Sequence, residues 1–222
     1  MPFGGGLADS PAAVLRPGLL AQAVHALRSS IAPSTRHSYD AATRRYVQFC
    51  EGHGERPFPA APATLTLFAT DAAQSVKVAT VRSYLSAIKL HHLERGLAWP
   101  DQDSCVVLER TLRGLTKLQG PANRRKRLPV TFEVLESLRP LVDLRRHDGR
   151  LFWAAATCAF FGFLRCGEFA SSPGHSPEKM LRRRHVSFVS GAHLRLHIPA
   201  SKTDLFRVGV DVSIGPSGRP DV

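Results

Sequence analysis

From about residue 18 to 118, apolar residues recur every three or four positions; from about 185 to 214 they recur every second position. The first period is that of helices with one buried face, and the second that of half-buried strands. Leu20, Val24 and Leu27 mark a first helix. Tyr39, Ala42, Tyr46 and Phe49 form the stripe of a second, opened by Pro33-Ser34 and stopped at Gly52 and Gly54. A shorter third is expected from about 62 to 73, behind Pro57, Pro59 and Pro62. Val78, Val81, Leu85, Ile88 and His92 outline a fourth that ends at Gly96, and Cys105, Leu108, Leu112 and Leu115 a fifth that ends near Gly120. Short helices with Pro/Gly connections predict a compact bundle. Further on, Val134, Leu135, Leu138 and Leu141 mark another helix, followed by the apolar run 151–164. That run is expected to be a buried helix, because 14 residues fall short of the ~20 that a membrane span needs. Strands are expected at 185–189, 194–198 and 206–214, with Leu194, Leu196, Ile198, Phe206, Val208, Val210, Val212 and Ile214 on one face. The fold class is therefore mainly α with a small antiparallel β-sheet.

Two places in this pattern carry candidate chemistry. Arg165 follows the apolar run directly, so a guanidinium is delivered to the edge of a core, where arginine needs a partner or an anionic ligand. Glu168, three positions on, falls on the same helical face. The pair reads either as an internal ion pair or as a rigidly held fork for phosphate. Lys202 lies in the polar turn between the second and third strands, where a lysine is ordinarily just solvated.

Charge changes the picture more than composition does. Of 222 residues, 30 are Lys or Arg and 18 Asp or Glu, a formal charge of +12, and both halves are basic. A polyanion, with double-stranded DNA foremost, is the expected partner. Helix faces opposite the apolar stripes carry Arg36 and Arg44 on the second helix, Arg82, Ser86 and Lys89 on the fourth, and Arg110, Arg113 and Lys117 on the fifth. Such stripes suit phosphate contact, although solvated faces look similar. Residues 121–129 read as a basic linker in which Arg124, Arg125, Lys126 and Arg127 are a DNA-tracking strap, a nuclear localisation signal or a solvated run. Arg182, Arg183 and Arg184 could add phosphate contacts. Cys50, Cys105, Cys158 and Cys166 are scattered without C-x-x-C spacing, and the histidines are dispersed. Reduced thiols, no metal and no cofactor are expected. Residues 1–18, rich in Gly, Pro and Ala, read as a disordered leader without a signal peptide.

Leu164, Arg165 and Glu168 closing an apolar helix, with Lys202 in a downstream hairpin turn, resemble the tyrosine recombinase (phage integrase) family. The form Phe-Phe-Gly-Phe-Leu-Arg-Cys-Gly-Glu-Phe is closer to recombinases of eukaryotic mobile elements of the Crypton and DIRS-like groups. Bacterial members usually carry Thr-Gly where this chain has Gly162-Phe163. The resemblance implies a helical, SAM-like core-binding domain over 19–120 and the first part of an α+β catalytic domain over 130–222. It also implies metal-free phosphoryl transfer in which Arg165 holds a non-bridging oxygen, Glu168 orients that arginine and Lys202 protonates the leaving 5′-oxygen. The family's His-x-x-Arg motif and nucleophilic tyrosine follow the hairpin. Here Tyr39, Tyr46 and Tyr84 all precede Arg165, and the His-x-x-Arg strings at 25–28 and 147–150 are in the wrong order. The expectation is thus a recombinase truncated within its catalytic domain and inactive alone. It would be intracellular and DNA-associated (nuclear in a eukaryotic host), off the membrane, with homo-oligomers on DNA if full length. A catalytically dead DNA-binding module and a basic helical protein-interaction domain are the alternatives.

Overall fold

A computed structural model describes residues 10–11, 14, 16–121, 128–171, 180–190, 193–201, 204, 206 and 208–218. The protein is mainly α-helical with one small antiparallel sheet. It divides into two compact units, Met1–Arg124 and Arg125–Val222. Most of the leader expected over 1–18 and the cations of the expected linker lie outside the described residues, and the helix marked by Leu20, Val24 and Leu27 already begins at Pro17.

The first unit contains α1 (Pro17–Ser29), α2 (Pro33–Gly52), α3 (Pro62–Ser75), α4 (Val78–Glu94) and α5 (Val106–Leu118). Three of these helices open on proline, which lacks an N–H that the first turn would leave unpaired and has a φ already suited to the helix. The core is built by Tyr46 and Cys50 of α2, Leu65, Phe68 and Ala72 of α3, Val81, Leu85 and Ile88 of α4, and Leu108 and Leu112 of α5. Tyr46 is at its centre, with Phe58 and Phe68 edge-on at 5.8 and 5.2 Å. Each apolar stripe read from the sequence contributes to this core except that of α1, which has no buried residue.

Polar groups lock the unit at two points. The Gln119 amide accepts from the Val78 N–H (3.1 Å) and donates to the carbonyls of Ala73 (2.8 Å) and Val76 (2.9 Å), pinning the end of α5 to the corner between α3 and α4. His92 is fully buried; its Nε2 accepts from the Ala60 N–H at 2.9 Å and its Nδ1 meets the Ile88 carbonyl at 2.7 Å.

The second unit holds α6 (Phe132–Leu138), α7 (His147–Phe161), the short α8 (Cys166–Phe169) and strands β1 (Val186–Ser190), β2 (His193–Ile198) and β3 (Val210–Ile214). The strands pair in the order β1-β2-β3, antiparallel throughout, with Leu196 opposite both Val186 and Val212. Alternation on β2 is as expected: Leu196 and Ile198 are buried, while His193, Arg195 and His197 are exposed.

Three expectations for this unit need correction. The run 151–164 is not a buried helix: α7 has no fully buried residue, and Leu151 and Phe152 are exposed. A helix apolar all round needs cover on every side, and the described residues of this unit cover only part of α7. Phe132 of α6 does so, its ring 6.3 Å from those of both Phe160 and Phe161. Second, the last strand begins at Val210 rather than at 206, leaving Phe206 and Val208 exposed. The Val208 and Gly209 N–H groups donate to the Asp204 carboxylate (3.2 and 2.8 Å), so a side chain has taken the bonds a ladder would need. Gly209 also has φ +78°, and a Cβ there would meet the His197 ring at 2.8 Å. Third, Arg165 does not continue the apolar helix, which stops at Phe161.

Candidate nucleic-acid interface

The break between α7 and α8 builds the surroundings of Arg165. Gly162 ends α7, and a Cβ at that position would be 2.7 Å from the Cys158 carbonyl oxygen, so the turn admits only glycine. Phe163 then adopts φ +49°, a left-handed conformation costly for a residue with a Cβ, and 92% of it is exposed. Bulky apolar side chains seldom occupy this position without a reason in the chain path. The turn delivers Arg165 to the N-cap of α8 and Glu168 to its third position.

Glu168 is 7% exposed and spends both carboxylate oxygens on Arg165. Oε2 accepts from the Arg165 main-chain N–H at 2.8 Å, and Oε1 from its guanidinium at 3.2 Å. The first is the backward arm of a capping box, in which the third helical residue satisfies the N-cap amide. The Glu168 carbonyl in turn accepts from the Leu181 N–H at 2.7 Å, anchoring the short helix to the next segment. The Arg165 side chain nevertheless remains 59% exposed. A guanidinium has five N–H donors, and the buried carboxylate holds one nitrogen while the rest of the fork faces outward. The internal ion pair and the exposed fork are therefore compatible.

Lys202 lies outside the described residues, as do Arg124, Arg125, Lys126 and Arg127. Of the Lys202 turn, Asp204 and its two backbone donors define the returning side.

The expected helix stripes separate into tied and free cations. Arg36 pairs with the buried Glu94 and also donates to the Arg28 carbonyl at 3.3 Å, so it links α2 to α4. Arg82 forms a two-pronged pair with Glu109 of α5 at 3.2 Å, and Ser86 donates to the Arg82 carbonyl at 3.0 Å. An exposed pair of this kind contributes only about 0–1 kcal/mol, so Arg82 can exchange its carboxylate for a phosphate. Arg44, Lys89, Arg110, Arg113 and Lys117 are all exposed. On α5, Arg110, Arg113 and Lys117 stand opposite the buried Leu108 and Leu112. Sequence periodicity did not show the two cross-helix carboxylates, because ion pairs at separations of 27 and 58 residues leave no local signal. It also passed over Arg45, which donates to Ser75 Oγ at 2.7 Å and lies over the Tyr84 ring at 5.6 Å.

The three tyrosines all belong to the helical unit. Tyr46 is fully buried, and burial pushes its phenol well above the usual range. Tyr39 and Tyr84 are half-buried in the same helical unit. Among the described residues, no group of three or more His, Cys, Asp or Glu could hold a metal ion, and no helix is long and apolar enough to cross a membrane.

No protein-family profile matches the chain. Over 142 residues it is 25% identical to an "Integrase/recombinase xerD homolog" of Selenomonas ruminantium. This chain is distantly similar to a recombinase. The match covers 64% of the chain and 42% of that relative, so the chain spans under half of the relative's length.

Proposed function

We propose that the chain binds duplex DNA and is the first part of a tyrosine recombinase acting in DNA recombination or integration. The observation that carries this reading is the Arg165–Glu168 arrangement, an exposed guanidinium fork held from behind by a buried carboxylate. Electrostatic groups fixed before the reaction begins stabilise developing phosphate charge without reorganising. In this reading Arg165 holds a non-bridging oxygen of the scissile phosphate, Glu168 positions it, and Lys202 protonates the leaving 5′-oxygen. Residues 19–120 form the core-binding domain, 121–129 the basic linker and 130–222 the first part of the catalytic domain. Arg44, Lys89, Arg110, Arg113 and Lys117 supply the phosphate contacts of the core-binding domain, with Arg82 released from Glu109 on binding. In this reading the form of the sequence around Arg165 would ally the chain with recombinases of eukaryotic mobile elements, and its DNA would be nuclear if the host is eukaryotic.

A nucleophile is needed for cleavage, and cations alone do not replace it. The 222 residues therefore bind DNA without cleaving it, which also fits a module whose role is occupancy alone. The test is a suicide-nicked duplex that traps a covalent adduct. The chain as it stands should yield none. A chain extended by a segment carrying His-x-x-Arg and a tyrosine should form the adduct, and Arg165→Ala should reduce its yield at least a hundredfold, about the loss on removing one transition-state donor. An adduct through Tyr39, Tyr46 or Tyr84, or an extended chain indifferent to Arg165→Ala, contradicts the proposal.

A further inference from the structure

The solvent side of the sheet carries a second cationic feature that none of the above uses. Ser187 of β1 and Ser213 of β3 are both register partners of Arg195 on β2, so the three residues form one row across the sheet. All three are exposed, and the face they share is opposite the one that buries Leu196. Directly paired residues on neighbouring strands have Cβ atoms about 4.5–5.5 Å apart. The arginine is thus flanked at hydrogen-bonding range of a common ligand by two small hydroxyls.

The neighbouring row explains why this arginine is available. His197 and Asp211 are register partners, and His197 Nδ1 meets Asp211 Oδ1 at 2.7 Å. The carboxylate nearest to Arg195 along β3 is therefore engaged by a histidine one row away. Among the described residues the Arg195 side chain has neither an ion pair nor a hydrogen bond. His193, on the same face, is exposed as well. Polar surface of this kind, with two hydroxyls about an uncommitted guanidinium, offers several donors to an oxyanion, and the one carboxylate of the neighbouring row, Asp211, is turned to His197.

We propose that the Ser187–Arg195–Ser213 row is a contact site for a backbone phosphate of duplex DNA, additional to Arg165 and the helix stripes. The assignment rests on the DNA-binding reading above and adds to it a second surface in the C-terminal unit. A guanidinium takes two phosphate oxygens side by side, and the serine hydroxyls reach the same group. A contact of this type fixes how the sheet lies on the duplex and carries no base specificity.

Fluorescence anisotropy of a labelled duplex across a salt series tests it on the full chain. Each neutralised phosphate contributes roughly 0.9 to the slope of log K against log salt. Arg195→Gln should weaken binding several-fold and reduce the slope by about 0.9. Arg56→Gln, the loss of an equal charge on an exposed loop of the helical unit, should leave the slope unchanged. Arg195→Lys should keep the slope but not the full affinity, and Ser187→Ala with Ser213→Ala should weaken binding at constant slope. Inorganic phosphate at matched ionic strength should compete no better than chloride; strong competition would overturn the duplex assignment. A steep wild-type slope that Arg195→Gln leaves intact sinks the sheet site and spares the wider reading. A wild-type chain with no salt-dependent binding sinks both.

Discussion

Acid should loosen the helical unit through two adjacent histidines. The His92 ring, edge-on to Phe58 at 5.3 Å and to Trp99 at 5.1 Å, uses both nitrogens in the neutral form: a proton on Nδ1 for Ile88 and a lone pair on Nε2 for Ala60. Protonating Nε2 would set an N–H against the Ala60 N–H and place a charge in the core. Burial accordingly pushes the His92 pKa down, against the smaller opposing effect of the Ile88 carbonyl. Beside it, His91 is stacked on Phe58 at 4.2 Å and is lowered to about 4, mainly by burial and then by the Arg95 and His92 charges, with Asp40 opposing. An unfolded histidine titrates near 6.5, so the unfolded chain binds more protons than the native one below that pH. The contribution of these two histidines to stability is therefore fully present above about pH 6.5 and falls as pH drops toward the native values, by at most about 1.4 kcal/mol per pH unit for each histidine. By pH 5 the loss reaches at most roughly 2 kcal/mol per histidine, and less for the half-exposed His91. Urea unfolding from pH 8 to 5, followed through Trp99 in a Trp153→Phe background, measures it. His92→Leu should flatten its share of the slope while lowering stability at pH 8 by about 1–3 kcal/mol, because Ala60 loses its acceptor. Equal stability at pH 7.5 and pH 5 would refute the reasoning.

Two further outcomes follow from single positions. Phe163→Gly should stabilise the C-terminal unit by about 0.5–1 kcal/mol, the relief of a left-handed residue less the added freedom of an unfolded glycine; hydrogen exchange of α7 and α8 amides checks it, and destabilisation would mean that the exposed ring packs after all. Gln119→Ala removes three hydrogen bonds that close the α3–α4 corner, and should cost about 1–3 kcal/mol in urea unfolding; a loss under about 0.5 kcal/mol would show that solvent replaces the amide there.

The elements most legible beforehand were those whose partners are local. The stripe Tyr39, Ala42, Tyr46, Phe49 and the alternation of Leu194, Leu196 and Ile198 each mark one buried face, and each is at least half-buried in the structure. Strands β1 and β2 begin within a residue of where alternation placed them. What was misread depended on competition with something distant or unusual. Phe206 and Val208 keep the strand period, yet Asp204 captures the amides that pairing would use. The run 151–164 is apolar enough to be buried, but apolarity states a need for cover and does not supply it. Arg165 was expected on the helix that precedes it; the steric limit at Gly162 and the left-handed Phe163 start a new one instead. That break is also the position at which the chain departs from the Thr-Gly of the bacterial pattern. Arg36 and Arg82 were read as free cations because Glu94 and Glu109 lie far away in sequence.

The central claim, that these residues bind the backbone of duplex DNA, is tested most directly by the affinity of the unmodified 222-residue chain for a random-sequence duplex from 50 to 200 mM salt. If about six exposed cations each neutralise a phosphate, the slope of log K against log salt is about −5 and affinity falls roughly a thousandfold over that range. Replacing Arg124, Arg125, Lys126 and Arg127 together with glutamine should make the slope shallower by up to about 3.6. Affinity that is absent at 50 mM salt, or unchanged at 200 mM, would contradict the account.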